Sequence, residues 1–130
     1  MEKTVLIIED DPDIAECLRF GFESVKITAR VALSGEDGLS ASLDQDNPPA
    51  AILLDLLLPG MSGIEICRRL RKEGATRRTP IIMISAKSSD VDIAAGLDVG
   101  ANCYITKPFS VREVVKRVNS LVLEGQEEPV

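Results

Sequence analysis

The sequence predicts an α/β fold: a doubly wound sheet of five parallel strands with helices on both faces. Short apolar runs alternate five times with segments whose apolar residues recur every three or four positions. The runs are apolar throughout, which is typical of parallel strands that are buried on both faces of a sheet. Right-handed crossovers through the intervening helices then favour the doubly wound arrangement.

The first two units carry clear boundary signals. The apolar run 5–8 stops at acidic residues, and Asp11 followed by Pro12 is typical of an N-cap and the first residue of a helix. Apolar residues at helical spacing follow at Ile14, Leu18, Phe22 and Val25. Residues 27–32 form a weaker predicted strand, and Ser34 is predicted to cap the second helix.

The third unit begins with a buried strand over residues 50–54 that ends at Asp55. Ser62 followed by Glu65 is the pattern of a capping box, which predicts the start of the third helix. The residues predicted to face inward along this helix are Ile64, Cys67 and Leu70. Gly74 is predicted to end it, since glycine is common just after helices.

The fourth unit follows the same plan. Its strand covers residues 81–84 and ends at Ser85. A helix then begins at Ser88 or Ser89, either of which can serve as an N-cap, and stops at Gly100.

The fifth unit completes the predicted sheet with a short strand near residues 103–105. Ser110 and Glu113 form a second capping-box pattern and predict the start of the last helix. We therefore assign residues 1–123 to one domain. The acidic segment 124–130 is predicted to be a disordered tail or the start of a linker.

Composition limits the classes of function. The chain has 130 residues, the size of one domain, and its net charge of −6 disfavours direct binding to nucleic acid or to an anionic membrane. It contains no His, which excludes imidazole metal sites and Ser-His catalysis. Its three cysteines are widely spaced and predict neither a disulfide framework nor a zinc site. The apolar segment near the N-terminus is too short for a signal peptide or a membrane span, so we expect a cytoplasmic protein.

Acidic residues follow two of the predicted strands. Glu9, Asp10 and Asp11 come after the first strand, and Asp55 ends the third. Ligands of open α/β sheets bind beyond the carboxyl ends of the strands, so these carboxylates converge if the two strands are neighbours. Such carboxylates repel one another, and Mg²⁺, which prefers oxygen ligands, relieves the repulsion. The alternative is that the acids only cap the first helix, a role that we assign to Asp11.

Two further polar residues follow the later strands. Ser85 ends the fourth strand, and Lys107 follows the fifth. Taken singly, Ser85 is as well explained by a helix cap and Lys107 by a solvated loop cation. A hydroxyl and an ammonium beside a carboxylate pocket with Asp55 together favour phosphoryl transfer, which depends on positioning and charge neutralisation.

Four segments resemble the receiver domains of bacterial two-component response regulators. They are, in chain order, Glu9-Asp10, ILLDLLLPGMSG at 52–63, IMISAK at 82–87 and YITKPF at 104–109. The resemblance runs from about residue 3 to about residue 123, and the four motifs follow the first, third, fourth and fifth predicted strands. It implies a flavodoxin-like sheet in the order 2-1-3-4-5, for which the chemotaxis member of this family is a standard example.

The resemblance implies a phosphoacceptor and a metal site. Asp55 is implied to accept a phosphoryl group from a sensor histidine kinase or a phosphotransfer protein. Mg²⁺ is implied to bind the Asp10 and Asp55 side chains and the backbone carbonyl of Leu57, with Glu9 holding a metal-bound water.

The resemblance also implies the parts of a switch. Lys107 is implied to pair with Asp55 and then with the phosphoryl oxygens, and its peptide bond to Pro108 is implied to be cis. Ser85 is implied to be the switch hydroxyl and Tyr104 the switch aromatic. By itself, Tyr104 is better explained as an amphipathic surface aromatic.

The implied protein is a regulator and not an enzyme with a separate substrate. It promotes its own phosphorylation, loses the phosphoryl group slowly because Leu57 and Lys87 hinder water, and controls an unknown output domain or target through the fourth helix, fifth strand and fifth helix. A phosphorylation-dependent dimer is also implied. The positions that carry charged residues for dimer salt bridges in DNA-binding members here hold Ile93, Ala95, Asn102 and Cys103.

Three other functions compete with this hypothesis. A haloacid-dehalogenase-like phosphatase needs a second Asp two residues after the nucleophile, where this chain has Leu57. A flavodoxin-like FMN carrier needs small residues in its first loop, where Glu9, Asp10 and Asp11 would repel a phosphate. A phosphorylation-independent pseudoreceiver that acts only by binding is the remaining alternative.

Overall fold

The computed structural model describes residues 3–126 and contains five strands that alternate with five helices. Their bounds are β1 Thr4–Ile8, α1 Pro12–Ser24, β2 Thr28–Ala32, α2 Gly35–Ser42, β3 Ala51–Asp55, α3 Gly63–Lys72, β4 Ile81–Ser85, α4 Asp90–Asp98, β5 Cys103–Thr106 and α5 Val111–Gln126. All strand pairs are parallel, and the sheet order is β2-β1-β3-β4-β5. The predicted fold class and strand order are confirmed.

The sheet separates two apolar layers. Alternate residues of the central strands point to opposite faces, so that Val5 and Ile7 lie in one layer and Leu6 and Ile8 in the other. The first layer contains α1 and α5, packed through side chains such as Leu18, Phe22, Val114 and Val118. The second contains Ile66, Cys67 and Leu70 of α3. Burial on both faces explains why these strands are apolar throughout.

Most predicted helix boundaries are confirmed by capping contacts. The Asp11 carboxylate accepts hydrogen bonds from the N–H groups of Asp13 and Ile14, with Pro12 at the first helical position. Hydroxyls of Ser34, Ser62 and Ser89 accept N–H bonds at the starts of α2, α3 and α4. Gly100, with φ of +120°, follows the end of α4.

Some local predictions are wrong for identifiable reasons. The helical pattern included Val25, but α1 ends at Ser24 and Val25 is its C-cap, with 53% of its surface exposed. Gly74 directly follows Glu73, the C-cap of α3, as predicted, but it lacks the positive φ of a glycine cap, because the chain already turns to an extended backbone at Glu73. Ile64 is only half-buried, whereas Ile66 is fully buried.

The capping box predicted for α3 is formed only in part. Ser62 accepts from the Glu65 N–H, but the Glu65 carboxylate pairs with Arg68 and Arg69 on the surface of the helix. At the other end of the chain, α5 reaches three residues into the segment that was assigned to a tail, and 127–130 lie outside the described residues. Within residues 3–126, no helix has the length and apolar character needed to cross a membrane.

Candidate phosphoacceptor and metal site

The carboxyl ends of β1, β3, β4 and β5 meet at one edge of the sheet. Because β1 and β3 are neighbours in register, the acids that follow them come together, as the sequence predicts. Carboxylate oxygens of Glu9, Asp10 and Asp55 lie within 4.8 Å of one another. Glu9 and Asp55 are buried, at 0% and 2% exposure, whereas Asp10 is exposed to solvent.

Asp55 is held through both carboxylate oxygens. Its Oδ1 accepts the Leu57 N–H at 3.0 Å, and its Oδ2 accepts from Lys107 Nζ at 3.0 Å. The loop behind it is fixed by Gly63, whose N–H donates to the Leu56 carbonyl. A Cβ on Gly63 would lie 2.6 Å from the Asp55 carbonyl oxygen, so only glycine lets α3 start this close to the end of β3.

Glu9 lies close to the Asp55 carboxylate, and both accept hydrogen bonds from the Lys107 ammonium. Its Oε1 accepts from Lys107 Nζ at 3.2 Å, and its Oε2 accepts the Asp11 N–H at 3.1 Å. The pKa of Glu9 is raised from 4.5 to about 7. Burial is the largest cause, and the hydrogen bond to Asp55 and the negative charge of Asp55 also raise it, against the lowering effects of the Asp11 N–H and Lys107. Two buried carboxylates around one ammonium therefore leave the pocket short of positive charge.

Lys107 bridges the two buried carboxylates from the end of β5. Burial lowers the pKa of its ammonium, but hydrogen bonds and charge attraction from Asp55 and Glu9 outweigh burial, so the pKa lies above its ordinary value. The backbone N–H of Lys107 donates to the Ser85 carbonyl. The peptide bond between Lys107 and Pro108 is cis, as the resemblance implies.

The donor set fits a magnesium ion. All three carboxylates are hard oxygen ligands of the kind that Mg²⁺ prefers, and exposed Asp10 leaves one side open for the waters that Mg²⁺ usually retains. The raised pKa of Glu9 indicates that the pocket lacks compensating charge. Asp11, by contrast, directs its carboxylate to α1 as a cap and stays outside the cluster, as predicted.

Ser85 and Tyr104 converge on one residue of the loop between β4 and α4. The fully buried Ser85 hydroxyl accepts the Lys87 N–H at 3.1 Å, and the Tyr104 hydroxyl donates to the Lys87 carbonyl at 2.7 Å. Tyr104 is half-buried against the layer that contains α3, so it is more than a solvated surface aromatic. Ser85 is not the N-cap of α4, since that role belongs to Ser89.

Comparison with known proteins assigns this arrangement to a family. The family model described as the response regulator receiver domain matches residues 5–119. This chain belongs to the response regulator receiver domain family. The recognised motifs thus sit in a receiver sheet, with the acidic cluster at the carboxyl ends of its strands.

The receiver domain is similar to several response regulators. It is 37% identical over 129 residues to the DNA-binding response regulator MtrA of Mycolicibacterium smegmatis, covering 99% of this chain and 54% of that protein. The receiver domain of the Francisella response regulator 1452 superposes with a TM-score of 0.87 at 34% identity, covering 95% and 99% of the two chains. DrrB, an OmpR/PhoB homologue of Thermotoga maritima, gives 0.84 at 27% identity, covering 98% and 55%. This chain therefore spans about half the length of two of these relatives.

Sequence reasoning missed two residues that organise the receiver domain. The Arg71 guanidinium, at the end of α3, donates to the carbonyls of Thr76, Thr79 and Gly100 and to Asn102 Oδ1. Asn102 Oδ1 also accepts the N–H of Ile81 at the start of β4. These contacts are long-range, and the local pattern around a basic residue at the end of a helix gives no sign of them.

Proposed function

We propose that this receiver domain is a phosphorylation-dependent switch that accepts a phosphoryl group on Asp55 from the phosphohistidine of a sensor kinase or phosphotransfer protein. A carboxylate oxygen of Asp55 would attack phosphorus, the P–N bond would break, and the imidazole nitrogen would leave with the bonding pair and take up a proton. The observation that carries the proposal is the position of Asp55, buried at the end of β3 between two carboxylates and Lys107.

A magnesium ion completes the proposed site. The Asp10 and Asp55 carboxylates and the Leu57 carbonyl would hold it, with Glu9 holding a metal-bound water. When bound, Mg²⁺ supplies positive charge that offsets the negative charge of the incoming phosphoryl oxygens. The short distances among the three carboxylates and the raised pKa of Glu9 support this assignment.

Lys107 and Ser85 would respond to the new phosphoryl group. Lys107 Nζ already lies 3.0 Å from Asp55 Oδ2, so a small movement brings it to the phosphoryl oxygens. The Ser85 hydroxyl would turn from the Lys87 N–H to the phosphoryl group, which offers stronger, charged acceptor oxygens.

Tyr104 would follow because it holds the same loop residue. When the Ser85 hydroxyl releases the Lys87 N–H, the loop would shift. The Lys87 carbonyl would then move relative to the Tyr104 hydroxyl that donates to it. The ring would move inward, and the surface formed by α4, β5 and α5 would change its affinity for an output domain or target.

The proposed protein is a cytoplasmic regulator and not an enzyme with a separate substrate. MtrA is a DNA-binding response regulator, and this chain covers 54% of its length. An output region that follows a receiver ending near residue 123 would account for the rest of that length. The receiver itself, with a net charge of −6, would not contact nucleic acid directly. A phosphorylation-dependent dimer would depend on apolar contacts, since Ile93, Ala95, Asn102 and Cys103 carry no charge.

The proposal is tested by intact mass after incubation with acetyl phosphate and Mg²⁺. We expect a gain of one phosphoryl group in the wild type and none in Asp55→Asn, because an amide is a poor nucleophile. Asp46→Asn, in the exposed loop before β3, makes the same chemical change away from the site and should react like the wild type.

A wild type that gains no mass under these conditions would favour the pseudoreceiver alternative. When the donor is removed, the same spectra measure how long the phosphoryl group persists. We expect slow loss of the phosphoryl group, because the bulky Leu57 side chain, two residues after Asp55 and 49% exposed, would hinder the attacking water.

A further inference from the structure

The end of α3 and the loop that follows it carry positive charge in a chain that is otherwise acidic. Residues 68–78 contain six basic residues and one acidic residue, whereas the rest of the chain contains nine basic and twenty acidic residues. Five of the six basic side chains are exposed to solvent, and together they are called the basic surface below: Arg68, Arg69, Lys72, Arg77 and Arg78. The loop leads into β4, so this surface lies at the opposite edge of the sheet from the acidic pocket.

Arg71, the sixth basic residue, fixes the loop that carries two of the exposed side chains. Its guanidinium donates to the carbonyls of Thr76 and Arg77, and the buried Thr76 hydroxyl donates to the Leu70 carbonyl at 2.6 Å. The loop therefore folds back onto the end of α3, while the Arg77 and Arg78 side chains remain exposed. A surface that is ordered before its partner arrives loses less conformational entropy on binding.

The fold accounts for only part of this positive charge. Basic residues in the last turn of a helix interact favourably with the helix dipole, which explains those within α3. The effect fades beyond the last turn, so it does not explain Arg77 and Arg78. Arg68 and Arg69 pair with an acid of their own helix, but within the described part of the chain no ion pair involves Lys72, Arg77 or Arg78. The basic surface thus holds three cations that no described carboxylate neutralises.

We propose that the basic surface is a docking site for a short acidic segment of a partner protein. Each exposed guanidinium can bind a carboxylate through two parallel N–H···O bonds, and Lys72 adds a point charge. A run of Glu or Asp residues matches the surface in sign and can bind there without contacting the acidic remainder of the chain. This docking site is separate from the proposed phosphoacceptor pocket.

Other polyanions fit the surface less well. A DNA duplex or an anionic membrane extends well beyond the basic surface, so it would also approach the acidic remainder of the chain, which repels it. Residues 68–78 include no aromatic side chain on which the bases of a single strand could stack.

The first test measures binding of a fluorescein-labelled octaglutamate peptide by fluorescence anisotropy. Replacing Lys72, Arg77 and Arg78 together by Gln removes the three unpaired cations, and we expect the affinity to fall about tenfold. A wild type that does not bind the peptide would overturn the proposal.

A matched variant separates the place of the charge from its amount. Replacing Lys26, Arg112 and Lys116 together by Gln removes three exposed cations elsewhere and gives the same net charge. We expect this variant to bind the peptide almost as tightly as the wild type. An equal loss of affinity in the two triple variants would show that only net charge matters and would overturn the proposal.

The second test needs no variant and uses the amide NMR signals of the wild type during titration with the same peptide. We expect the signals that shift to cluster in residues 68–78. Shifts that are centred instead on α1 and α5 would contradict the proposed place of binding.

The third test compares classes of ligand at one salt concentration. A short DNA duplex and vesicles that contain phosphatidylserine should both bind more weakly than the peptide. Tighter binding of either one would overturn the choice of an acidic protein segment.

None of these measurements needs a metal ion or a phosphodonor. Asp55→Asn should bind the peptide like the wild type, and loss of binding in this variant would contradict a docking site that is separate from the pocket. A wild type that accepts no phosphoryl group would refute the proposed switch and leave the peptide result unaffected.

Discussion

The Tyr104 hydroxyl donates a hydrogen bond to the Lys87 carbonyl oxygen at 2.7 Å. On the other side of the same residue, the Lys87 N–H donates to Ser85 Oγ at 3.1 Å. One loop residue thus connects the end of β4, beside the acidic pocket, to the side chain on β5. The Ser85 hydroxyl contacts the Lys87 N–H and the Tyr104 hydroxyl contacts the Lys87 carbonyl. Movement of either side chain therefore shifts the backbone group that the other side chain contacts.

Replacing Ser85 by Ala should release the Lys87 N–H from its acceptor. A hydrogen bond contributes a net stability of about 1 kcal/mol, which corresponds to about fivefold faster amide exchange at Lys87. Hydrogen exchange followed by NMR in the metal-free protein measures this directly. Ser88→Ala removes an exposed hydroxyl from the same loop and should leave the rate unchanged. Equal exchange rates in wild type and Ser85→Ala would mean that the Ser85 bond does not hold the loop.

Replacing Asp10 by Asn should abolish magnesium binding and stabilise the metal-free protein. One of three crowded carboxylates loses its charge, so repulsion falls while the metal loses a ligand. Mg²⁺ at 100 times its Kd should stabilise the wild type by about 2.7 kcal/mol, and this gain should vanish in the variant. Thermal unfolding with EDTA or Mg²⁺ measures both effects. Asp13→Asn, an exposed acid of α1 outside the cluster, should keep the response, and an undiminished response in Asp10→Asn would rule out this ligand set.

Metal-free stability should fall as pH rises from about 4.5 to about 7. The pKa of Glu9 is about 7 in the fold against an ordinary value of 4.5, so the folded state binds more protons than the unfolded state in this window. The free energy of unfolding therefore decreases with pH, by at most about 3 kcal/mol from this group.

Urea unfolding in EDTA, compared between the wild type and Glu9→Gln, isolates this contribution because all other titrating groups are common to both. The free energies of the two proteins should diverge through the window and then run parallel above it. Parallel curves at every pH would show that the Glu9 pKa is not raised.

Replacing Arg71 by Ala should destabilise the fold by about 2–4 kcal/mol. The variant leaves the carbonyl groups of Thr76, Thr79 and Gly100 without their guanidinium donor. Arg69→Ala removes an exposed arginine from the same helix, whose pair with Glu65 should contribute less than about 1 kcal/mol. Chemical denaturation gives both values, and similar losses in the two variants would contradict the central position of Arg71.

The sheet and its active edge could be predicted because both depend on local pattern. Strands buried on two faces must be apolar throughout, and parallel strands bring the residues that follow them to one edge. Glu9, Asp55, Ser85 and Lys107 were therefore found at the ends of their strands, although their roles came from the resemblance. The order of the strands also came from the resemblance, since alternating strands and helices alone leave several orders open.

The remaining features depend on packing that the local pattern does not contain. The role of Arg71 depends on acceptors that lie up to 31 residues away along the chain. A Cβ on Gly96 of α4 would lie 2.8 Å from the Tyr104 ring on β5, a contact that helical spacing does not show. Val25 has helical spacing but is the C-cap, one position beyond the last residue of α1, so periodicity extended the predicted helix past its end.

The most direct test of Asp55 as the phosphoacceptor locates the phosphoryl group on the chain. The protein is treated with acetyl phosphate and Mg²⁺, the acyl phosphate is reduced with borohydride to the corresponding alcohol, and the peptides are sequenced by mass spectrometry. We expect reduction at Asp55 alone, with Glu9 and Asp10 unchanged. Reduction at Glu9 or Asp10, or at none of the three, would contradict the assignment of Asp55 as the phosphoacceptor.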